Sequence, residues 1–220
     1  MIEYQNFYVI HMPRAGGSFF ARSLLGGYIH KPKHDGWITF SPFNKDVYGL
    51  IRKPMDWYLS LNSYSIQQNL IWKDVFGISR SEPTRNKIEK WISGTGATDK
   101  LIHMPEFMSA KNPINQMRKL DIGFWSWWVL HLYGKSGVSS KQEFDNQLRF
   151  LWLEHRDNDI ERLCKKYKCV YKPRNQFRNT SKHATAQDVF DTKLIKLLND
   201  KDGLMLDRVT RHAFGVECGI

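Results

Sequence analysis

The sequence predicts an α/β fold with a central, mostly parallel sheet flanked by helices. Three observations carry that prediction. Apolar runs at residues 6–11, 46–51 and 148–153 have the length of buried strands. Stretches that read as helices alternate with them, at 17–26, 54–70, 84–93, 122–134 and 157–167. A glycine-bearing turn, Pro13-Arg14-Ala15-Gly16-Gly17-Ser18, joins the first run to the first helix. Alternating strands and helices suit a parallel sheet, because each parallel pair needs a crossover.

Each element has a local reason. The first strand stops at Pro13, and the helix after it ends at Gly26-Gly27. Residues 36–40, Gly-Trp-Ile-Thr-Phe, read as a short strand. Asp46-Val-Tyr-Gly-Leu-Ile51 is a second core strand ending at Arg52, and Pro54 fits the first turn of the next helix. A third strand at 148–153 leads into a helix from Asp157 to Tyr167, followed by a short strand at 168–171. Residues 186–199 and 203–213 read as two closing helices. No repeat or linker appears, so the chain reads as one domain over 1–220. Within it, 72–145 is expected to be a substrate-facing insertion; its first part, to residue 121, is rich in Ser, Asn, Pro and Lys.

Composition narrows the function classes. A chain of 220 residues can bury a sizeable core. No apolar run approaches the ~20 residues that cross a bilayer. The start, Met-Ile-Glu-Tyr-Gln-Asn, lacks a basic n-region and an apolar h-region, so no signal peptide is expected. Cys164, Cys169 and Cys218 are too few for a disulfide framework and point to a reducing compartment. A zinc reading of Cys164 and Cys169 lacks a second tight pair, which leaves buried or half-buried thiols. The net charge of +11 favours an anionic partner. The cations are spread along the chain, so a nucleic-acid arm is not indicated.

Two constellations carry chemistry. In the first, Gly16 and Gly17 let backbone N–H groups approach an anion, Ser18 adds a hydroxyl at the helix start, and Arg14 adds a fixed charge. The same junction is also compatible with an ordinary tight turn. It is not a Walker A loop, because no Lys follows Gly17. In the second, Arg52 follows a buried strand and Ser60 lies about two turns into the next helix. A guanidinium there can grip phosphate in bidentate fashion, or cap the sheet through a carboxylate.

Together these residues resemble the PAPS-dependent sulfotransferases, whose donor is 3′-phosphoadenosine 5′-phosphosulfate. Their loop typically reads Pro-Lys-Thr-Gly-Gly-Thr or Pro-Arg-Ser-Gly-Thr-Thr, close to Pro13–Ser18. Arg52 and Ser60 match the Arg-to-Ser spacing of their 3′-phosphate motif. Leu153–Leu163 is similar to a late strand–helix segment of the family. Asn179-Thr180-Ser181, followed by the closing helices, resembles carbohydrate-type members. The resemblance implies a P-loop-like three-layer fold and transfer of a sulfuryl group from PAPS to a hydroxyl or amine.

Residue by residue, it implies that backbone N–H groups from Ala15 through Gly16, Gly17 and Ser18 to Phe19 hold the 5′-phosphosulfate. Arg14 takes the place of the loop cation, and Arg52 and Ser60 hold the 3′-phosphate. Arg14 replaces the more frequent Lys and acts electrostatically, because a guanidinium keeps its protons. The general base is expected at His34, with His30, Glu82 and Glu106 as alternatives. Arg174, Arg178, Lys182, Asn179 and Ser181 read either as a loop over the nucleotide or as solvated surface. Trp125, Trp127 and Trp128 read mostly as core, while Trp37, Trp57 and Trp72 are candidates for an acceptor cleft.

No metal is expected, and the acceptor is a small molecule or glycan, with a saccharide favoured. Neither nucleic acid nor a membrane is an expected partner. A cytoplasmic enzyme of microbial or viral origin is the expected setting. The alternatives are a nucleotide or metabolite kinase with a degenerate phosphate loop, which needs a loop Lys and carboxylates for Mg²⁺, and a non-catalytic anion-binding module on the same fold.

Overall fold

The computed structural model describes residues 1–24, 26–30, 44–69, 71–96, 113–172 and 184–215. The strands are β1 (Ile2–Glu3), β2 (Phe7–His11), β3 (Tyr28–Ile29), β4 (Asp46–Ile51) and β5 (Leu148–Trp152). The helices are α1 (Gly17–Ser23), α2 (Pro54–Gln67), α3 (Ile71–Val75), α4 (Thr84–Ser93), α5 (Pro113–Leu120), α6 (Phe124–Tyr133), α7 (Arg156–Tyr167), α8 (Ala186–Val189) and α9 (Thr192–Arg211). A 3-10 turn, Leu153–His155, joins β5 to α7.

The strands form one five-stranded sheet in the order β3-β1-β2-β4-β5. β4 pairs in parallel with both of its neighbours. Phe7 to His11 of β2 lie opposite Asp46 to Leu50, and Leu148 to Trp152 of β5 lie opposite Val47 to Ile51. β1 pairs antiparallel with β2 and β3 over two residues each. The fold is therefore α/β with a mostly parallel sheet.

The chain divides into two compact units, each discontinuous in sequence. The first comprises Met1–Lys53, Leu130–Thr180 and Arg208–Ile220 and holds the sheet. The second comprises Pro54–Val129 and Ser181–Asp207 and overlaps much of the expected insertion.

In the first unit, Val47 to Ile51 are all buried, as in a strand covered on both faces. Gly49 lies at the centre of β4 for a steric reason. A Cβ there would stand 2.8 Å from the Phe150 ring and 2.9 Å from the Tyr133 ring. Those two rings meet edge to face at 5.1 Å, and the Tyr133 hydroxyl donates to the Leu50 carbonyl at 2.8 Å. On the far side of β5, Phe150 donates to His212 O and accepts from Phe214 N, both at 2.8 Å. Residues 212–214 thus cover that edge through a single parallel bridge at Ala213. Tyr167 of α7 stacks on Phe7 of β2 at 4.7 Å, and Asp159 of α7 accepts from the Trp152 N–H at 3.0 Å.

The second unit has an aromatic core of its own. Trp57, Phe76, Trp91, Phe124, Trp125, Trp127 and Trp128 are buried in it. Phe124 stacks on Trp91 at 5.8 Å and on Trp127 at 5.6 Å. Indole N–H groups are satisfied inside the core: Trp91 donates to Asn62 at 3.3 Å and Trp127 to Gln116 at 2.7 Å. Beside them Asp202 of α9 is fully buried and accepts from the Tyr58 hydroxyl at 2.8 Å, the Ser126 hydroxyl at 2.6 Å and the Ser126 N–H at 3.0 Å.

Some elements differ from the sequence expectation. The two closing helices are replaced by short α8 and one continuous α9, which runs through Gly203. The buried Asp202 explains the continuity, since its donors fix the backbone where local propensity is weakest. Residues 168–171 form no strand; Lys168 closes α7 in a left-handed conformation and Tyr171 makes a single bridge to Leu24. α1 ends at Ser23, because Leu24 turns extended to make that bridge. The strand expected at 36–40 lies outside the described residues.

Burial pushes the Asp202 carboxyl up to about 6, against the pull of Ser126 and Tyr58. The folded state therefore holds a proton that the unfolded chain releases near pH 4. Stability from this group is full below about pH 4, falls as pH rises through 6, and is then level; the loss is on the order of 3 kcal/mol. Urea unfolding between pH 4 and 7 should show this decline, and Asp202→Asn should remove it.

Candidate functional site

β2, β4 and β5 run in parallel, so their carboxyl ends share one edge of the sheet. Ligands of α/β sheets collect at that edge. Beyond His11, β2 delivers the turn at 12–17; beyond Ile51, β4 delivers Arg52 and Lys53; beyond Trp152, β5 delivers Leu153 to Arg156. Each strand end brings an arginine: Arg14, Arg52 and Arg156.

The turn is built from backbone contacts. Met12 extends the ladder by donating to Leu50 O at 3.1 Å, and Ala15 N–H returns to Met12 O at 3.1 Å. Arg14 and Gly16 both take positive φ, 65° and 84°. Phe19 and Phe20 then donate to Gly16 O at 2.9 and 3.0 Å and start α1. The amides of Gly17 and Ser18 open the helix, where no intrahelical acceptor reaches them. The Ser18 side chain is exposed, whereas Ala15 and Gly17 are buried.

Gly17 is required by its neighbour and Gly16 chiefly by its backbone conformation. A Cβ on Gly17 would overlap the His11 imidazole. A Cβ on Gly16 would stand 2.5 Å from Leu153 Cδ1, at a φ that already disfavours a side chain. The end of β2 and the turn after β5 thus mould the loop from two sides.

Arg52 lies next to Glu154, with Nε 4.0 Å from Oε1, the outer limit of an ion pair. The same oxygen is held more closely by the Lys53 N–H at 3.0 Å. The Arg156 guanidinium lies over the Phe19 ring of α1, 4.8 Å from its centre. That places a third cation beside the turn.

The other expected residues fall elsewhere. His30 is turned onto Glu3, with Nε2 2.8 Å from Oε2, and Lys45 holds the other oxygen of that carboxylate at 2.7 Å. Ser60 is buried on α2 in the second unit. Glu82 accepts from Lys90 and from the Ser79 N–H, and the Lys90 ammonium holds its carboxyl below the usual range. Trp57, Trp125, Trp127 and Trp128 are core residues of the second unit. His34, Trp37, Glu106, Arg174, Arg178, Asn179, Ser181 and Lys182 lie outside the described residues, as does the side chain of Trp72.

Arg156 belongs to the edge although sequence reasoning passed over it as a site residue. Its signal was available: like Arg52, it is a cation just beyond an apolar strand. His11 and Leu153 give no such signal, because what they do depends on volume rather than chemistry. Among the described residues no helix is long and apolar enough to cross a membrane. No family model matches the chain, and neither the curated proteins nor the solved structures compared with it give a match.

The steric claim is testable by a double-mutant cycle. Gly17→Ala should destabilise by about 1–3 kcal/mol through overpacking, and His11→Ala should relieve most of that cost. Gly16→Ala should keep a penalty of roughly 1–2 kcal/mol even with Leu153→Ala, because the left-handed backbone remains. Chemical denaturation of the singles and doubles reads both.

Proposed function

We propose that this chain is a PAPS-dependent sulfotransferase on a P-loop-like α/β fold. One observation carries the reading: a two-glycine turn with no space for side chains, flanked by Arg14 and Ser18, at the sheet edge that also receives Arg52. The sequence resemblance supplies the identity of the anion; the geometry supports a cradle for one.

In this reading the amides of Gly16, Gly17 and Ser18, with the Ser18 hydroxyl, hold the 5′-phosphosulfate. The Ala15 and Phe19 amides shape the turn, since they already donate to Met12 O and Gly16 O. The acceptor oxygen attacks sulfur in line, the bond from sulfur to the bridging phosphate oxygen breaks, and 3′,5′-ADP leaves. Arg14 stabilises charge growing on that bridging oxygen and keeps its own protons. The acceptor proton passes to a general base, assigned to His34 by the resemblance alone. Arg52 takes the 3′-phosphate, for which the Glu154 carboxylate at 4.0 Å is its present neighbour. Ser60 enters as the second 3′-phosphate ligand on sequence spacing only. The acceptor is a hydroxyl or amine compound, with a saccharide favoured.

Thermal unfolding with 3′,5′-ADP, ATP–Mg²⁺ and an oligonucleotide separates this reading from a kinase and from a binding module. At ~100 times its Kd, 3′,5′-ADP should stabilise the protein by about 2.7 kcal/mol, and Arg52→Ala should abolish the shift. No shift with 3′,5′-ADP would sink the proposal. Transfer from labelled PAPS to a saccharide panel should fall about 10²–10³-fold in Arg14→Ala, the usual loss for one charge-stabilising donor. Transfer unchanged in His34→Ala would remove that residue as base.

A further inference from the structure

Cys164 and Cys169 lie on the first unit, away from every residue given a role above. Cys164 is in the last turn of α7. Cys169 follows Lys168, whose left-handed backbone folds the chain back on the helix end. The two sulfur atoms are 3.3 Å apart, and each residue is partly exposed. That separation is short enough for a sulfur–sulfur bond to form with only a small approach.

The segment after Cys169 is attached to α1. Tyr171 bridges Leu24, and Lys172 N–H donates to Ser23 O at 2.9 Å. Burial, then the nearby Cys169 and Cys164, raise the phenol of Tyr4. The Tyr4 hydroxyl reaches Phe20 O of α1 at 3.4 Å. The Lys172 attachment therefore ends on the helix that begins with the glycine turn.

We propose that Cys164 and Cys169 form a reversible disulfide, made by exchange with a low-molecular-weight disulfide, that tightens the clasp on the carboxyl end of α1. A thiolate of Cys169 attacks one sulfur of the small disulfide and expels a thiolate. Cys164 then attacks the Cys169 sulfur and expels the second. The two cysteine protons end on the two expelled thiolates, and the pair of electrons leaves with the small molecule, which is reduced to two thiols. Burial, then contact with Cys169, pushes the Cys164 thiol up to about 12. Transient disulfides of this kind are the sort found in reducing compartments. The bond closes a short loop, so it suppresses local opening and adds little to global stability.

The test equilibrates the full chain with oxidised and reduced glutathione at graded ratios, in wild type and in a Cys218→Ser background. Trapped thiols are mapped by alkylation and mass spectrometry, and amide hydrogen exchange is read in both states. The expected result is a Cys164–Cys169 bond in both proteins, fully reversed by dithiol and lost in Cys164→Ser and in Cys169→Ser. Exchange should slow severalfold in peptides covering 17–24 and 169–172. Thiols that stay free at the most oxidising ratio, a stable glutathione adduct, or a bond to Cys218 in the wild type would overturn the proposal. A Cys164–Cys169 bond that leaves exchange at 17–24 unchanged would equally overturn the clasp. None of these readouts depends on sulfuryl transfer.

Discussion

β4 is the strand on which the first unit depends. It is the shared parallel partner of β2 and β5, and its register with each aligns three carboxyl ends. Gly49 locks that register, because only the glycine can pass beneath Phe150 and Tyr133. A slip by one residue would place Tyr48 or Leu50 under those rings and turn buried side chains to the opposite face. It would also carry Arg52 away from the level of the turn after β2. Strand packing and the charge at the edge are thus one constraint.

The turn shows how volume prepares a site for charge. His11 and Leu153 occupy the space in which side chains at 16 and 17 would have stood. What remains is bare backbone, which is what an anion needs to approach amide groups closely. Arg14 is held left-handed at φ 65°, an uncommon state for a residue with a Cβ. The Ala15-to-Met12 hydrogen bond and the opening of α1 hold it there from both sides. Arg14, Arg52 and Arg156 all stand at this edge, with Glu154 near Arg52 and Asp157 Oδ1 3.3 Å from Arg156 Nε.

Much of this was legible in the sequence where the signal was local. β4 was read at its true limits, since five consecutive apolar or small residues between Asp46 and Arg52 leave little else to be. The helix at 84–93 also matched its bounds, set by Pro83 before it and Gly94 after it. The turn after β2 was visible because glycines and a proline punctuate an apolar run. What escaped depended on distance along the chain. β1 and β3, two residues each, carry no periodicity, and only pairing defines them. The unbroken α9 followed from Asp202 meeting Tyr58 and Ser126, a contact between remote segments. The partners of Gly16 and Gly17 were hidden for the same reason.

The strip at 212–214 along β5 also bears on how the protein is made. Phe150 makes its outer hydrogen bonds to His212 and Phe214. During synthesis that edge therefore stays open while about the next 60 residues emerge from the ribosome, the second unit's Ser181–Asp207 among them. An open strand edge is a template for pairing with other chains. The nascent protein consequently has an interval of vulnerability to aggregation that closes once residues 212–214 have been made.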